Sequence, residues 1–267
     1  VFGRTANRAG LAAVTERLED WLNGHVFELE LHGSDAPKDD HIRRVAATFA
    51  GDEIIGDSTW QLHLDFQAYN FSYIPIETLS MIYEQFLHAP DADSEDNETE
   101  EPTRGRKAGA YYTPLPVVNF MLSELEERHP LKKGMKVFDA ACGSGAFLVQ
   151  CYRRLIEKEF PSIADKPAPY QLKELLQQSI YGVDYDADAC SVTELSLLLT
   201  LLDYVEPPDL EKNPRFKLPA LRGENIFCAD FFSRKPPISE TLGHRRFDWV
   251  VGNPPWKRLD PAKLDPK

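Results

Sequence analysis

The stretch from Val137 to Leu148 constrains the fold of this chain most strongly, because its residue pattern changes twice. Val137 and Phe138 are strand formers that lead into Asp139, and Gly143 and Gly145 permit a turn that other residues resist. Helical spacing then resumes with an apolar stripe formed by Phe147, Leu148, Cys151, Tyr152 and Leu155. We therefore predict a buried strand, a tight glycine turn and a helix whose free N-terminal amides favour an anionic group.

Three further stretches have the composition of short buried strands. Residues 180–183 end at Asp184, residues 226–229 end at Asp230, and residues 247–251 lead into Asn253. Helical patterns separate the strands, which predicts an α/β fold with a parallel sheet and helices on both faces. Because ligands bind beyond the carboxyl ends of parallel strands, we expect the polar strand-end residues to converge on one crevice.

The chain divides by composition into three parts. Residues 1–90 are predicted to form a mainly helical N-terminal region that acts as a structural platform. Residues 91–108 are rich in acidic side chains and poor in apolar ones, which is typical of a flexible linker. Residues 109–267 hold the strands and form the predicted core domain. The chain begins without Met, which suggests a piece of a longer protein.

The overall charge excludes some classes of protein. A net charge of −13 gives no general attraction to nucleic acid, so a DNA-binding surface must be local or lie outside the chain. No apolar run is long enough to span a membrane, and the first residues are not expected to form a signal peptide, because no apolar stretch follows them. The four cysteines form no C-x-x-C pair and are expected to be buried free thiols of a cytoplasmic protein, and no metal site is predicted.

The glycine turn limits the ligand that the crevice can hold. It lacks both the P-loop lysine motif and the G-x-G-x-x-G of dinucleotide sites. Asp139 beside the turn suits a cationic group, Asp184 stands where a ribose is usually held, and Asp230 could accept from an adenine amino group. These residues fit a nucleoside that carries an amino acid, such as S-adenosylmethionine.

A second motif follows the fourth strand, at Asn253-Pro254-Pro255-Trp256. The two prolines lock the backbone and remove two N–H donors. The side-chain oxygen of Asn253 and the carbonyl of Pro254 can then accept both hydrogens of one NH2 group, which orients the amine for attack on an electrophile. Trp256 offers a face on which a planar group can stack.

Together these motifs resemble those of the N6-adenine DNA methyltransferases of restriction–modification systems. The order of the motifs is that of the gamma class, and the Asn-Pro-Pro-Trp form is similar to the type I and type IIG enzymes. The resemblance rests on five matches: Tyr111-Tyr112-Thr113-Pro114, residues 139–145, Asp184, Asp230-Phe231 and Asn253 to Trp256. It implies a Rossmann-like, S-adenosylmethionine-dependent methyltransferase sheet that is incomplete at its C-terminal end.

The resemblance also implies a role for each matched residue. The methionine end of S-adenosylmethionine would contact Tyr112, Thr113, Asp139, Ala141, Cys142, Gly143 and Gly145. Asp184 would hold the ribose, and Asp230 with Phe231 the adenine ring of the donor. Asn253, Pro254 and Pro255 would form the catalytic loop, with Trp256 stacked on an adenine flipped out of DNA. Thr113 is also predicted to cap the helix that follows it.

The implied partners are DNA and a specificity or nuclease subunit or domain. The DNA-recognition domain of the family follows the point where this chain stops, so we expect the chain alone to bind the cofactor weakly and not to methylate DNA. Three other readings remain open at this point: a methyltransferase for a protein glutamine or an RNA amine, a non-catalytic cofactor-binding subunit, and a nicotinamide oxidoreductase, which the turn disfavours.

Overall fold

The computed structural model describes residues 6–22, 36–50, 75–88, 113–162, 166–213, 215–232 and 242–255. The chain divides into two compact units, Val1–Pro75 and Ile76–Lys267. The predicted linker at 91–108 lies outside the described residues. Within the described ranges, no helix is both long and apolar enough to cross a membrane.

The first unit contains two described helices, α1 (Arg8–Leu22) and α2 (Asp39–Ala50). Both lie in the region, residues 1–90, that was predicted to be mainly helical. Asp39 and Asp40 lie in the first turn of α2, where the helix dipole favours negative charge. The side chain of Asp39 also accepts a hydrogen bond of 2.8 Å from the backbone N–H of Arg8, which ties the start of α1 to the start of α2.

The second unit holds a four-stranded sheet and the remaining described helices. Its elements, in chain order, are α3 (Glu77–His88), α4 (Leu115–Arg128), β1 (Val137–Asp139), α5 (Ala146–Glu159), α6 (Pro169–Ser179), β2 (Ile180–Asp184), α7 (Ala187–Asp203), α8 (Pro207–Lys212), β3 (Ile226–Cys228) and β4 (Trp249–Val251). The sequence had placed α3 in the N-terminal region, whereas its contacts group it with the sheet.

All strand pairs are parallel, in the order β3-β2-β1-β4. The chain therefore moves outward from β1 to β2 and β3, and then returns to the other side of β1. This reversal makes the gap between β1 and β4 the topological switch point, where open α/β sheets bind their ligands. β4 forms one edge of the described sheet, and Val250 on it is 66% exposed.

The two faces of the sheet are packed differently. On one face Gly182 has no room for a side chain, because a Cβ there would lie 2.7 Å from Leu148 of α5. The predicted apolar stripe of α5 is buried. The other face carries a cluster of buried side chains, Phe138, Tyr181, Val183, Phe227 and Leu242, with Phe247 packed against it. The continuous apolar runs of β1 and β2 thus bury side chains on both faces, as expected for a doubly wound sheet.

The cysteines were predicted to be buried free thiols. All four are free, and Cys142, Cys151 and Cys190 are buried. Cys228 is exposed, so the prediction is wrong for that residue. The reason is its position as the last residue of β3, where the strand runs out at the open carboxyl edge of the sheet.

Candidate functional site

The predicted polar residues lie at the carboxyl edge of the sheet. Asp139 and Asp184 are the last residues of β1 and β2, and Asp230 and Asn253 follow the ends of β3 and β4 by two residues. The parallel pairing aligns Asp139 with Val251, immediately before the Asn-Pro-Pro loop, defined here as residues 252–255. The four polar residues therefore lie along one edge of the sheet, the carboxyl edge at which the crevice was predicted.

The glycine turn, residues 139–145, is held by hydrogen bonds to the neighbouring strand β2 and by one bond within the turn. The N–H of Cys142 donates to the carbonyl of Val183 on β2 over 2.9 Å. The N–H of Gly143 donates to Asp184 Oδ2 over 2.8 Å, and Gly145 N–H closes the turn on Cys142 O at 2.8 Å. Asp184 thus orients the turn, and its other oxygen accepts from Asp186 N–H.

Helix α7 supports the turn through Thr193. Its hydroxyl donates to the carbonyl of Gly143 over 2.7 Å. Gly145 has a positive φ of 88°, and a Cβ there would lie 3.0 Å from the hydroxyl oxygen of Thr193. Glycine is required at this position for its backbone conformation and for the close approach of α7. Thr193 was not among the predicted site residues, because nothing in the spacing of a helix marks which residue will reach a distant turn.

Asp139 is the most unusual ionisable group of the site. Its side chain is 1% exposed, and Oδ1 accepts a 3.0 Å hydrogen bond from Ala141 N–H. Oδ2 is buried and has no hydrogen-bond partner in the described part of the chain. Burial raises the pKa of Asp139 to about 7, partly offset by the bond from Ala141 and reinforced by the nearby Asp184. A buried carboxylate oxygen without a partner is costly, which favours a cationic ligand beside it.

Gly252 brings the Asn-Pro-Pro loop directly onto Asp139. A Cβ at Gly252 would overlap Asp139 Oδ1 and lie 2.9 Å from Asp139 Cγ. Its φ of 140° is also one that side-chain-bearing residues rarely adopt. Only glycine allows the backbone before Asn253 to approach the carboxylate this closely. Gly252 was not among the predicted site residues, although a glycine directly before Asn253 is a visible signal in the sequence.

Thr113 contacts Asn253 rather than capping its helix. The amide Nδ2 of Asn253 and the hydroxyl oxygen of Thr113 are 3.2 Å apart, with the amide as donor. The N-cap of α4 is Pro114, and no side chain caps it, so the predicted capping role is wrong. The physical reason is that the Thr113 oxygen accepts from the amide of the Asn-Pro-Pro loop. This contact sets the rotation of the Asn253 amide, with its nitrogen on the Thr113 side.

A cavity of about 390 Å³ adjoins both the glycine turn and the Asn-Pro-Pro loop. Its size is typical of small-molecule sites. The carboxylate among its lining residues is that of Asp139. The remaining lining is mostly apolar and comes from α4, α5 and the ends of β1 and β4: Met121, Leu122, Leu125, Phe147, Ala140, Ala141, Val250, Val251, Gly252 and Pro254.

Aromatic rings stand along the same edge, beyond β2 and β3. Phe231 is 40% exposed, and its ring lies 5.7 Å from that of Phe138 on β1. Asp230 is exposed and accepts a hydrogen bond from Phe232 N–H. Tyr185, directly after Asp184, is 83% exposed. Tyr185 was not among the predicted site residues, although its place one residue past a strand-end carboxylate identifies it as an edge residue.

Two predicted site residues, Tyr112 and Trp256, lie outside the described residues. Cys142 is buried within the turn, and burial raises its thiol pKa, so it packs rather than reacts. Pro255 is exposed at the end of the described loop. Within the described ranges, no three His, Cys, Asp or Glu side chains are grouped so that they could hold a metal ion.

Comparisons with known proteins identify the family of the chain. The model of the family described as N-6 DNA Methylase matches residues 76–263. The chain is 28% identical over 245 residues to the type II restriction enzyme and methyltransferase RM.Eco57I of Escherichia coli. The matched stretch covers 77% of this chain and 24% of that protein.

Two methylase subunits of type I restriction enzymes match over shorter stretches. The EcoEI subunit of Escherichia coli is 32% identical over 103 residues, covering 39% of this chain and 16% of that protein. The MjaIX subunit of Methanocaldococcus jannaschii is 33% identical over 95 residues, covering 36% of this chain and 14% of that protein. The chain therefore spans about a quarter or less of the length of these relatives.

Among solved structures, a modification subunit of a putative type I restriction enzyme from Vibrio vulnificus is similar in part. It is 25% identical and covers 68% of this chain and 33% of that chain, with a TM-score of 0.31.

Proposed function

Because the chain belongs to the N-6 DNA methylase family, we propose that it carries the sites for transfer of a methyl group from S-adenosylmethionine to N6 of adenine in DNA. One observation carries the proposal. Asp139, which suits a cationic donor, and Asn253, which suits a planar amine, lie at the ends of two paired strands, with Gly252 packed against the carboxylate. A donor and an acceptor can thus meet at the switch point of the sheet.

The residues at the turn fit the proposed donor. Asp139 Oδ2 is buried without a partner in the described ranges, so the donor's ammonium group would supply the missing contact. The N-terminus of α5 begins at Ala146, directly after the turn, where amides and helix dipole favour the donor's carboxylate. Thr113, Ala141, Cys142, Gly143 and Gly145, together with Tyr112, would line this methionine end.

The nucleoside end of the donor has matching groups on β2 and β3. The Asp184 carboxylate accepts the backbone N–H groups of Gly143 and Asp186, and it would also accept from a ribose hydroxyl. Asp230 would accept from the adenine amino group. The exposed rings of Phe231 and Tyr185 would provide apolar surface for the purine. When bound, the donor supplies an electrophilic methyl group on its sulfonium.

The Asn-Pro-Pro loop would hold the target amine. Asn253 Oδ1 and the carbonyl of Pro254 would each accept one hydrogen of the N6 amine, and Pro255 would stiffen the loop. The bond from Asn253 Nδ2 to Thr113 fixes the rotation of the amide, so that its oxygen is presented in one direction. Trp256 would stack on the flipped adenine, since N6 is otherwise paired inside the duplex. No nucleophilic side chain is needed.

The wider setting of this activity is also a proposal. The relatives are named as restriction enzymes and as methylase subunits of restriction enzymes. We propose that this chain works in a cytoplasmic restriction–modification system, with a specificity or nuclease subunit or domain as partner. Because the net charge is −13, the main DNA-binding surface would lie outside the residues that form the donor site.

The test is a transfer assay with the full-length protein and S-adenosylmethionine labelled in its methyl group. A mixture of DNA, RNA and protein extract is incubated with the enzyme, and each polymer is then separated and counted. We expect label in DNA. Label in RNA or protein would favour a different amine substrate, and binding of S-adenosylhomocysteine without any transfer would favour a non-catalytic subunit. Calorimetric binding of NAD instead of S-adenosylhomocysteine would overturn the donor assignment.

A further inference from the structure

Two successive carbonyl groups of the glycine turn are held by hydroxyl groups from two different helices. Thr193 of α7 donates to Gly143 O over 2.7 Å, and Ser80 of α3 donates to Ser144 O over 3.1 Å. Ser80 lies upstream of the predicted linker, 64 residues before the carbonyl that it contacts. It is 3% exposed, so its hydroxyl depends on a protein partner.

We propose that Ser80 is a positioning residue of the donor site, which it supports through the glycine turn. This inference rests on the proposed function, because it assigns the turn to S-adenosylmethionine. It makes α3 a part of the donor site rather than of a separate platform. Ser80 would not contact the donor itself.

The placement of Ser80 supports a dedicated role. Serine is a modest helix former, since its hydroxyl competes for nearby backbone groups. In α3 the Ser80 hydroxyl instead reaches the turn of another segment. Glu77, one turn earlier, accepts a 2.7 Å hydrogen bond from Gln150 of α5 and lies 3.5 Å from Arg153 Nε. α3 also packs against α7, the helix of Thr193.

The two hydroxyl groups control which side of the turn faces the ligand. In a trans peptide the C=O and the following N–H point in opposite directions. The bond from Thr193 to Gly143 O therefore turns the N–H of Ser144 away from α7. The peptide after Ser144 carries the N–H of Gly145, which closes the turn on Cys142 O. If Ser144 O rotated away from Ser80, this closing bond would be lost and a carbonyl would approach the donor's carboxylate.

The test compares three variants of the full-length protein. Ser80→Ala removes the hydroxyl, and Ser80→Thr retains it. Ser196→Ala is the matched control, because Ser196 is a buried serine of α7 whose hydroxyl has no partner in the described part of the chain. Calorimetry with S-adenosylhomocysteine, well below the melting temperature of each variant, gives the dissociation constants, and steady-state assays give KM and kcat.

We expect Ser80→Ala to raise the dissociation constant for S-adenosylhomocysteine about fivefold, the value of one neutral hydrogen bond. The KM for the methyl donor rises similarly, while kcat and the KM for DNA stay within about twofold. Ser80→Thr should restore most of the affinity, and Ser196→Ala should match the wild type.

The outcomes separate this inference from the proposed function. If the wild type binds S-adenosylhomocysteine and Ser80→Ala binds it equally well, the inference is wrong and the proposed function stands. Equal weakening by Ser80→Ala and Ser196→Ala, or a loss of kcat alone, also overturns the inference. If the wild type does not bind S-adenosylhomocysteine, the proposed function falls and the inference falls with it.

Discussion

The glycine turn and the Asn-Pro-Pro loop lie side by side but are built in different ways. The turn is held by Val183 and Asp184 of β2, Thr193 of α7 and Ser80 of α3. The loop follows the edge strand β4 and its prolines are exposed. Its contacts include the close packing of Gly252 on Asp139 and the hydrogen bond from Asn253 to Thr113.

This difference matches two separate tasks, in which the turn binds the methyl donor and the loop positions the amine that receives the methyl group. A preorganised turn costs little to order when a ligand arrives, which suits a site that must hold a donor before the target is present. A loop at an exposed edge can receive a bulky base from outside the domain. The two regions meet where Gly252 packs on Asp139. A substitution at this contact should affect both the glycine turn and the Asn-Pro-Pro loop, whereas a substitution away from it should affect only the region in which it lies.

The largest effect should come from the loop. We expect Asn253→Ala in the full-length protein to lower the methylation rate by at least about 100-fold, because the target amine loses its orienting acceptor. The affinity for S-adenosylhomocysteine should change less than about twofold, since the turn is intact. Label transfer to DNA and calorimetry measure the two quantities. Asn213→Ala, at the C-cap of α8, is the control, and a similar loss of rate there would contradict the assignment.

The contact between the two regions should be the next most sensitive. Gly252→Ala places a Cβ against the Asp139 carboxylate, and we expect the free energy of unfolding to fall by about 2 kcal/mol. Chemical denaturation followed by circular dichroism checks this. Gly223→Ala is the matched control, because Gly223 also has a positive φ but has open space around it. If the free energy of unfolding falls by the same amount in both variants, backbone strain alone accounts for the loss, and the packing of Gly252 on Asp139 contributes nothing to it.

Support of the turn by β2 should be visible in donor affinity. Asp184→Ala removes the acceptor for Gly143 N–H and the proposed ribose contact, so we expect the dissociation constant for S-adenosylhomocysteine to rise about 20-fold. Calorimetry measures it. Asp186→Ala, two residues on, removes the N-cap of α7 without touching the turn and should leave the affinity within about twofold. If Asp184→Ala bound S-adenosylhomocysteine as tightly as the wild type, Asp184 would have no role in holding the donor.

The buried carboxylate should make donor affinity depend on pH. Burial raises the pKa of Asp139 to about 7, and only its ionised form attracts an ammonium group. With this pKa, the ionised fraction of Asp139 drops from about one half at pH 7 to about one tenth at pH 6, so the affinity for S-adenosylhomocysteine should fall about fivefold over that interval. Calorimetric titrations across this range test it. The Asp139→Asn variant should bind S-adenosylhomocysteine more weakly, and its affinity should not depend on pH over this range. A pH dependence that persists in this variant would show that another group causes it.

Local sequence patterns predicted the sheet well and the turn in part. The strand formers before Asp139, Asp184 and Asp230 and the glycines at 143 and 145 give direct evidence of strand ends and a turn, and the structure has both. The supports of the turn could not be predicted, because Ser80 and Thr193 reach it from helices whose register depends on tertiary packing. Thr113 shows the same limit: a local capping pattern was overridden by a contact with Asn253, 140 residues away.

The assignment of Asn253 to an adenine amine is tested most directly by identifying the methylated base. DNA methylated by the full-length protein is digested to nucleosides, which are separated and identified by mass spectrometry. We predict deoxyadenosine methylated at N6 as the product, absent when Asn253→Ala replaces the wild type. Methyl groups on the N4 amine of deoxycytidine, or on a ring carbon, would contradict the central claim.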